Sequence, residues 1–393
     1  MSIDKVICTV ILCYYSFQLF GQNNDRLNYL VGLHSIQVQG QYGYVFPTNS
    51  FVNGLNIENE KINKFQAYSI RYEKQTDGDK EWQRYYNFPK WGGGLYVADF
   101  FERENIGIPI AAFMFFNGPF KRWNHFSLNY ELALGMAFNW KSFDPNSNAY
   151  NVALGASQSV FIDVGMDLRF YCNSLFDVGL GYSLTHFSNG ALKKPNQGLN
   201  TIAPKLSIIY HLDHNKIRIE PRPAEKLDKE NEWIISVFGG ATNILFDSVN
   251  VAIEEKYRGA YFPIIGFNVL RNWQVSYKSR IGAGLTYAYN GAINAQVAIK
   301  EGVLEPSKAP FFEKNELSLN LSYELVVNRV SMIIQPSYYL YRKEFKNQTP
   351  TSYQIIGVKY YIVDDLFVGI SLHAHAFHVS DFIMWRIGYR FKN

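Results

Sequence analysis

The segment FIDVGMDLRF, residues 161–170, alternates without a break: Ile162, Val164, Met166, Leu168 and Phe170 oppose Asp163, Gly165, Asp167 and Arg169. Successive side chains of a strand point to opposite faces, so this spacing is that of a strand. Large apolar groups on one face and charges on the other suit lipid outside and a polar lumen inside.

The same period recurs in FSLNYELALGMAF (126–138), where Phe126, Leu128, Tyr130, Leu132, Leu134, Met136 and Phe138 oppose Ser127, Asn129, Glu131 and Gly135. It recurs in ELSLNLSYELV (316–326), where Leu317, Leu319, Leu321, Tyr323 and Leu325 oppose Ser318, Asn320, Ser322 and Glu324. The chain has 393 residues, 17% aromatic and 18% charged, with 29 glycines. Its mean hydropathy of −0.16 is too low for a helical membrane protein. One run is continuously apolar, Val6 to Phe20, following Lys5 and preceding Gly21. Residues 1–21 therefore read as a secretory signal peptide. Cys8 and Cys13 fall inside it, leaving Cys172 as the only cysteine beyond, so neither a disulfide framework nor a cysteine metal site is expected. A net charge of +4 with no long basic block argues against nucleic acid as a partner.

Alternating aromatic-rich segments in a secreted chain are the signature of a transmembrane outer-membrane β-barrel. A soluble β-sandwich would alternate too, and turn lengths separate the two. Short polar turns fall near Asn173, Asn272, Asn328 and Asp365, whereas residues 47–64, 141–156, 188–200, 247–258 and 291–314 form long connections. Short turns on one side and long loops on the other belong to outer-membrane barrels, although residues 75–91 break the rule. The end of the chain, WRIGYRFKN, alternates Trp385, Ile387, Tyr389 and Phe391, similar to the aromatic last strand of such proteins.

About sixteen antiparallel strands are expected in all. Eight fit into residues 30–212; DHNKIRIEPRPAEKLDKENE (213–232) follows, and about eight more fit into 233–391. The charges of the middle stretch would face lipid, and Pro221 and Pro223 lack ladder donors, so it reads as a periplasmic linker. Either two eight-stranded barrels stand in tandem, the favoured arrangement, or one larger barrel carries a long turn. SLNLSYEL echoes SLNYEL and HVS (378–380) echoes HFS, which makes the second half a candidate degenerate repeat.

One stretch departs from the pattern in chemistry, though not in register: THFSNGALKKPNQGLN, 185–200. Val178, Leu180, Tyr182 and Leu184 face lipid, and His186 and Ser188 continue that face. Asn200 shares the outward register of Ile202, Leu206, Ile208, Tyr210 and Leu212. Strand counting puts the intervening loop outside the cell, so the three polar groups meet the outer leaflet, which in a Gram-negative envelope is lipopolysaccharide. Residues two apart on a strand have Cα atoms roughly 7 Å apart, within reach for a serine nucleophile and a histidine base. A lone His-x-Ser fits equally an interfacial histidine beside a serine that caps a loop. Glu131 faces the lumen, where a structural pairing with an inward arginine such as Arg169 is expected. In LHAHAFHVSDF (372–382), His373 and His375 invite a metal reading but share the face of Gly369 and Ser371, so an interior polar network is expected. His378 and Ser380 form a second outward dyad with no accompanying loop, read as coincidence or an inactive copy.

The longer string HFSNGALKKPNQGLN resembles the active-site segment of the outer-membrane lipid A 3-O-deacylases, the PagL family. That pattern runs His-x-Ser-Asn, a short basic spacer, Pro-Asn-x-Gly, a hydrophobic residue and an acid. Here it falls on His186, Ser188, Asn189, Pro195, Asn196, Gly198 and Leu199. In the family the motif occupies the penultimate strand of an eight-stranded barrel, and here one more strand fits before the linker. The resemblance implies a serine esterase of the outer membrane that removes an ester-linked acyl chain from lipid A, without a cofactor or a metal. His186 would be the base, Ser188 the nucleophile, and Asn200 would stand where the family has a glutamate orienting the histidine. Asn189, Gly190 and Asn196 would supply oxyanion donors, and Lys193 and Lys194 would meet lipid A phosphates or remain solvated. Two rival readings stand beside it: a lipopolysaccharide-binding or structural barrel that lost activity with the acid, and a channel, if all strands close into one wide barrel.

Overall fold

The structure, a computed structural model, describes residues 29–190, 192–218, 230–243, 257, 259–302, 309–344, 350–375 and 379–392. The expected signal peptide, the prolines of the linker and His378 lie outside the described residues.

After a short strand, β1 (Tyr29–Val31), eight strands close into a barrel: β2 (His34–Val45), β3 (Lys64–Gln75), β4 (Lys90–Asp99), β5 (Gly107–Arg122), β6 (Phe126–Trp140), β7 (Ser159–Tyr171), β8 (Phe176–Ser188) and β9 (Leu199–His211). They follow one another in chain order, and β9 returns to pair antiparallel with β2. After β10 (Lys216–Arg218), a second set closes separately: β11 (Asn231–Thr242), β12 (Phe262–Ser276), β13 (Ser279–Asn290), β14 (Asn315–Val327), β15 (Val330–Tyr341), β16 (Ser352–Tyr361), β17 (Leu366–His375) and β18 (Val379–Lys392), with β18 on β11. The arrangement is thus two eight-stranded barrels, and a single wide barrel is excluded. The chain divides into two compact units, one holding β2 to β9 and the other holding β11 to β18 together with residues 142–156 and 188–198.

The alternation read from FIDVGMDLRF holds in space. On β7, Ile162, Val164 and Met166 are exposed on the outside while Asp163 and Arg169 are buried. On β18, Trp385, Ile387, Tyr389 and Phe391 are all exposed. Such bands of large apolar side chains belong to lipid, not to water.

Both lumens are lined by polar and charged side chains that pair across the narrow eight-stranded barrels. In the first, Glu131 accepts Arg71 at 2.8 Å and Lys205 at 3.0 Å. The lumenal position expected for Glu131 is observed, but its partner is not Arg169. Glu131 pairs across the ladder with Gly165, whereas Arg169 pairs with Ser127. Four residues of strand put the two roughly 13 Å apart. Arg169 instead reaches Glu73 at 2.6 Å and Asp177 at 2.8 Å. In the second barrel Lys359 meets Glu324 at 2.7 Å. The single wide barrel on which the channel reading was premised is not formed.

Three local expectations change. The turn expected near Asn272 lies instead at residues 277–278, between β12 and β13. Asn272 is an interior residue whose amide reaches Glu232 at 3.2 Å and Glu324 at 3.3 Å, and a lumenal asparagine looks like a turn residue in sequence. The irregular connection at 75–91 contains a one-turn helix, α1 (Glu81–Tyr85), and the Gln75 amide donates to the Phe88 carbonyl at 2.8 Å. The charged stretch from 213 begins with structure: Asp213 accepts the N–H groups of Leu33 at 2.9 Å and His34 at 2.8 Å, and β10 pairs with β1.

Removing one partner from a buried charge network leaves the others uncompensated. Glu131→Ala strands Arg71 and Lys205 and is expected to cost about 3–5 kcal/mol, measured as a lower urea midpoint for conversion of the folded to the unfolded electrophoretic form.

Candidate active site

The mouth of the first barrel is built on an inward aromatic cluster. Phe187, the second-last residue of β8, is fully buried, with ring centroids 4.9 Å from Trp140 and 5.6 Å from Phe161. Because neighbours on a strand point oppositely, an anchored Phe187 turns His186 and Ser188 together to the outer face. The β8–β9 ladder then pairs His186 with Asn200 and Phe187 with Leu199.

His186 Nδ1 lies 2.6 Å from Asn200 Oδ1. An amide oxygen only accepts, so Nδ1 carries the proton and Nε2 carries the lone pair. Among the described residues Nε2 has no hydrogen-bond partner. The other end of the amide is also held, Asn200 Nδ2 donating to Thr48 Oγ1 at 3.1 Å. Thr48 positions the Asn200 side chain beside the imidazole, although a hydroxyl, which can donate or accept, does not by itself choose between the two amide orientations. Sequence reasoning missed it: 152 residues separate Thr48 from Asn200, and nothing in the sequence around Thr48 marks it.

Ser188 ends β8 and is buried. Its Oγ accepts the Asn196 amide at 2.8 Å and the Gly190 N–H at 3.2 Å. Two donors on Oγ leave its own proton free to be given away and stabilise charge growing on that oxygen. Asn196 is aimed by its far end, where Oδ1 accepts the Asn189 N–H at 3.0 Å, and the Asn189 amide donates to the Lys193 carbonyl at 2.7 Å. Gly190 and Gly198 adopt φ of +63° and +74°, a region costly for other residues, which explains the glycines of the motif.

The loop is braced from a segment that sequence reasoning treated only as a long connection. Gln197 and Gly198 donate their N–H groups to the carbonyls of Val152 and Ala153 at 3.0 and 2.9 Å. At Gly155 an added Cβ would overlap the carbonyl oxygens of Lys193 and Pro195. The Lys193 side chain is exposed. Lys194 is half-buried, and its ammonium donates to the Asn243 carbonyl at 3.0 Å. Burial lowers its pKa, partly offset by Asp381.

Residues 66–208 match the family model described as lipid A 3-O-deacylase (PagL), and residues 231–393 match that described as acyloxyacyl hydrolase, C-terminal domain. No curated protein matches the chain. Among solved structures, the outer membrane enzyme PagL is similar at 18% identity, over 44% of this chain and 97% of that one, with a TM-score of 0.28. Omp33 of Acinetobacter baumannii is similar at 9% identity over 92% and 100%, with a TM-score of 0.17. The translocator domain of the autotransporter NalP from Neisseria meningitidis is similar at 8% over 92% and 88%, with a TM-score of 0.20.

Because Gly155 has backbone on two sides, Gly155→Val is expected to displace the 189–198 loop while leaving the barrel folded. Limited tryptic cleavage after Lys193 should become faster, with the electrophoretic mobility of the folded form unchanged.

Proposed function

We propose that this chain is an outer-membrane lipid A deacylase using Ser188 as nucleophile, a reading supported by the match of residues 66–208 to the lipid A 3-O-deacylase (PagL) model and of residues 231–393 to the acyloxyacyl hydrolase C-terminal domain model. The observation that carries this reading is the His186–Asn200 contact at 2.6 Å, which leaves Nε2 of the imidazole available as a base.

In the proposed reaction His186 Nε2 takes the Ser188 proton as Oγ attacks the carbonyl carbon of an ester-linked acyl chain of lipid A. The carbonyl oxygen becomes an oxyanion, and Gly190 N–H and the Asn196 amide, already on Oγ, are the donors nearest to it. Asn189, whose N–H is engaged by Asn196, holds that amide in place. The tetrahedral species collapses as the imidazolium returns its proton to the departing sugar oxygen. Water, deprotonated by His186, then releases the fatty acid from Ser188. The substrate sits in the outer leaflet, with Lys193 and Lys194 near the level of its phosphates.

Asn200 orients the imidazole but adds no negative charge to balance the imidazolium. An amide in this place is expected to slow the reaction: where replacing the acid by an amide imposes the wrong tautomer, the loss reaches about 10⁴-fold. With Asn200 Oδ1 turned to His186 Nδ1, the tautomer is the one a base needs, and the charge is what is missing.

Mass spectrometry of lipid A from cells expressing the chain should show a species lacking one acyl chain. Ser188→Ala should abolish that species, and an unchanged spectrum would overturn the reading in favour of a lipopolysaccharide-binding barrel. Asn200→Asp, which restores the counter-charge, should raise kcat about tenfold or more with little change in KM. Asn200→Leu should lower kcat instead.

A further inference from the structure

The second barrel holds chemistry that the deacylase reading does not use. β17 and β18 pair as Leu372↔Ile383 and His373↔Phe382, then resume as Ala374↔Ser380 and His375↔Val379. Asp381 is therefore the extra residue of a β-bulge. On a regular strand Asp381 would face away from the buried Phe382 and Met384, and the bulge re-aims it inward. There it meets His373 and His375, the two lumenal histidines that the sequence suggested were polar filling.

One atom from each of these three residues lies within 4.8 Å of the others, and no other such group occurs among the described residues. Asp381 Oδ2 is 3.3 Å from His373 Nδ1 and 3.7 Å from His375 Nε2. Ligands bound tetrahedrally at about 2.0–2.1 Å stand about 3.3–3.4 Å apart; the two edges at Asp381 are close to that, and the two histidine atoms lie within 4.8 Å of each other. The far atoms of these side chains are oriented. His375 Nδ1 lies 3.2 Å from the Ser352 carbonyl, which directs the lone pair of Nε2 to Asp381. Asp381 Oδ1 accepts Thr242 Oγ1 at 2.8 Å, leaving Oδ2 for a cation. The His373 ring stacks between Tyr353 and Phe382, with centroids at 4.3 and 4.7 Å. Partners of this kind on the outer atoms of metal ligands fix tautomer and ring orientation. The inner atom is not satisfied: His373 is 5% exposed, yet its Nδ1 makes no hydrogen bond among the described residues.

We propose that His373, His375 and Asp381 bind one divalent first-row transition-metal ion, zinc by preference, with a free coordination position facing the adjoining cavity of about 650 Å³. Two imidazoles and one carboxylate suit zinc and its neighbours, whereas calcium and magnesium prefer all-oxygen sets. Three protein ligands and an open fourth position form a site that binds a further ligand or water, unlike a closed structural site. Tyr339, Tyr353 and Glu316 also line that cavity.

The test uses the full chain, free of any histidine tag, folded in detergent and stripped with a chelator. Calorimetric titration with zinc should give one equivalent bound, and cobalt should give visible d–d absorption. His375→Ala should abolish both signals, and Thr242→Val should weaken zinc by about 10–100-fold. Ser188→Ala should bind like the parent, which separates this site from the esterase reading. Folding of each variant is checked by electrophoretic mobility. Absence of saturable zinc binding by the parent chain, or binding that survives His375→Ala, would overturn the proposal.

Discussion

The cross-strand pairing of His186 with Asn200 is the interaction on which the site depends. Neither residue chooses its own direction: the β8–β9 ladder and the buried Phe187 fix which face each side chain takes. A slip of one residue would send His186 into the lumen. Closure of the barrel prevents such a slip, since a change of register on β8 must be absorbed by both neighbouring ladders. The geometry proposed for catalysis thus rests on the fold as a whole, not on a flexible loop.

Chemistry is added to this frame by two kinds of support. On the histidine side, Asn200 holds the imidazole through a neutral hydrogen bond and Thr48 positions the amide. On the serine side, Asn196, Asn189 and two left-handed glycines hold donors on Oγ. The first support lacks a charge that an acid would supply, and the second is intact. In the proposed reaction an orienting amide would position the imidazole while giving up part of the electrostatic stabilisation of the transition state.

How much of this was legible in the sequence follows from the range of each interaction. Alternation is a local property, so the two barrels, the shared ladder position of His186 and Asn200, and the lumenal position of Glu131 could be read directly. Partner choice depends on height along the barrel, and the Glu131 partners Arg71 and Lys205 lie 60 and 74 residues away. Asn272 misled because an inward polar residue and a turn residue share a composition. Thr48 was hidden by distance in the chain. Asp381 was hidden by a bulge, which shifts the parity that the sequence reading assumes; strict alternation puts it on the wrong face.

The proposed activation of Ser188 by His186 is tested most directly by covalent labelling with an alkyl fluorophosphonate in detergent micelles, followed by peptide mass spectrometry. A single adduct on the Ser188 peptide, formed at a rate that falls at least a hundredfold with His186→Ala, is the expected result. An adduct elsewhere, or a Ser188 labelling rate that is unchanged when His186 is removed, would contradict it.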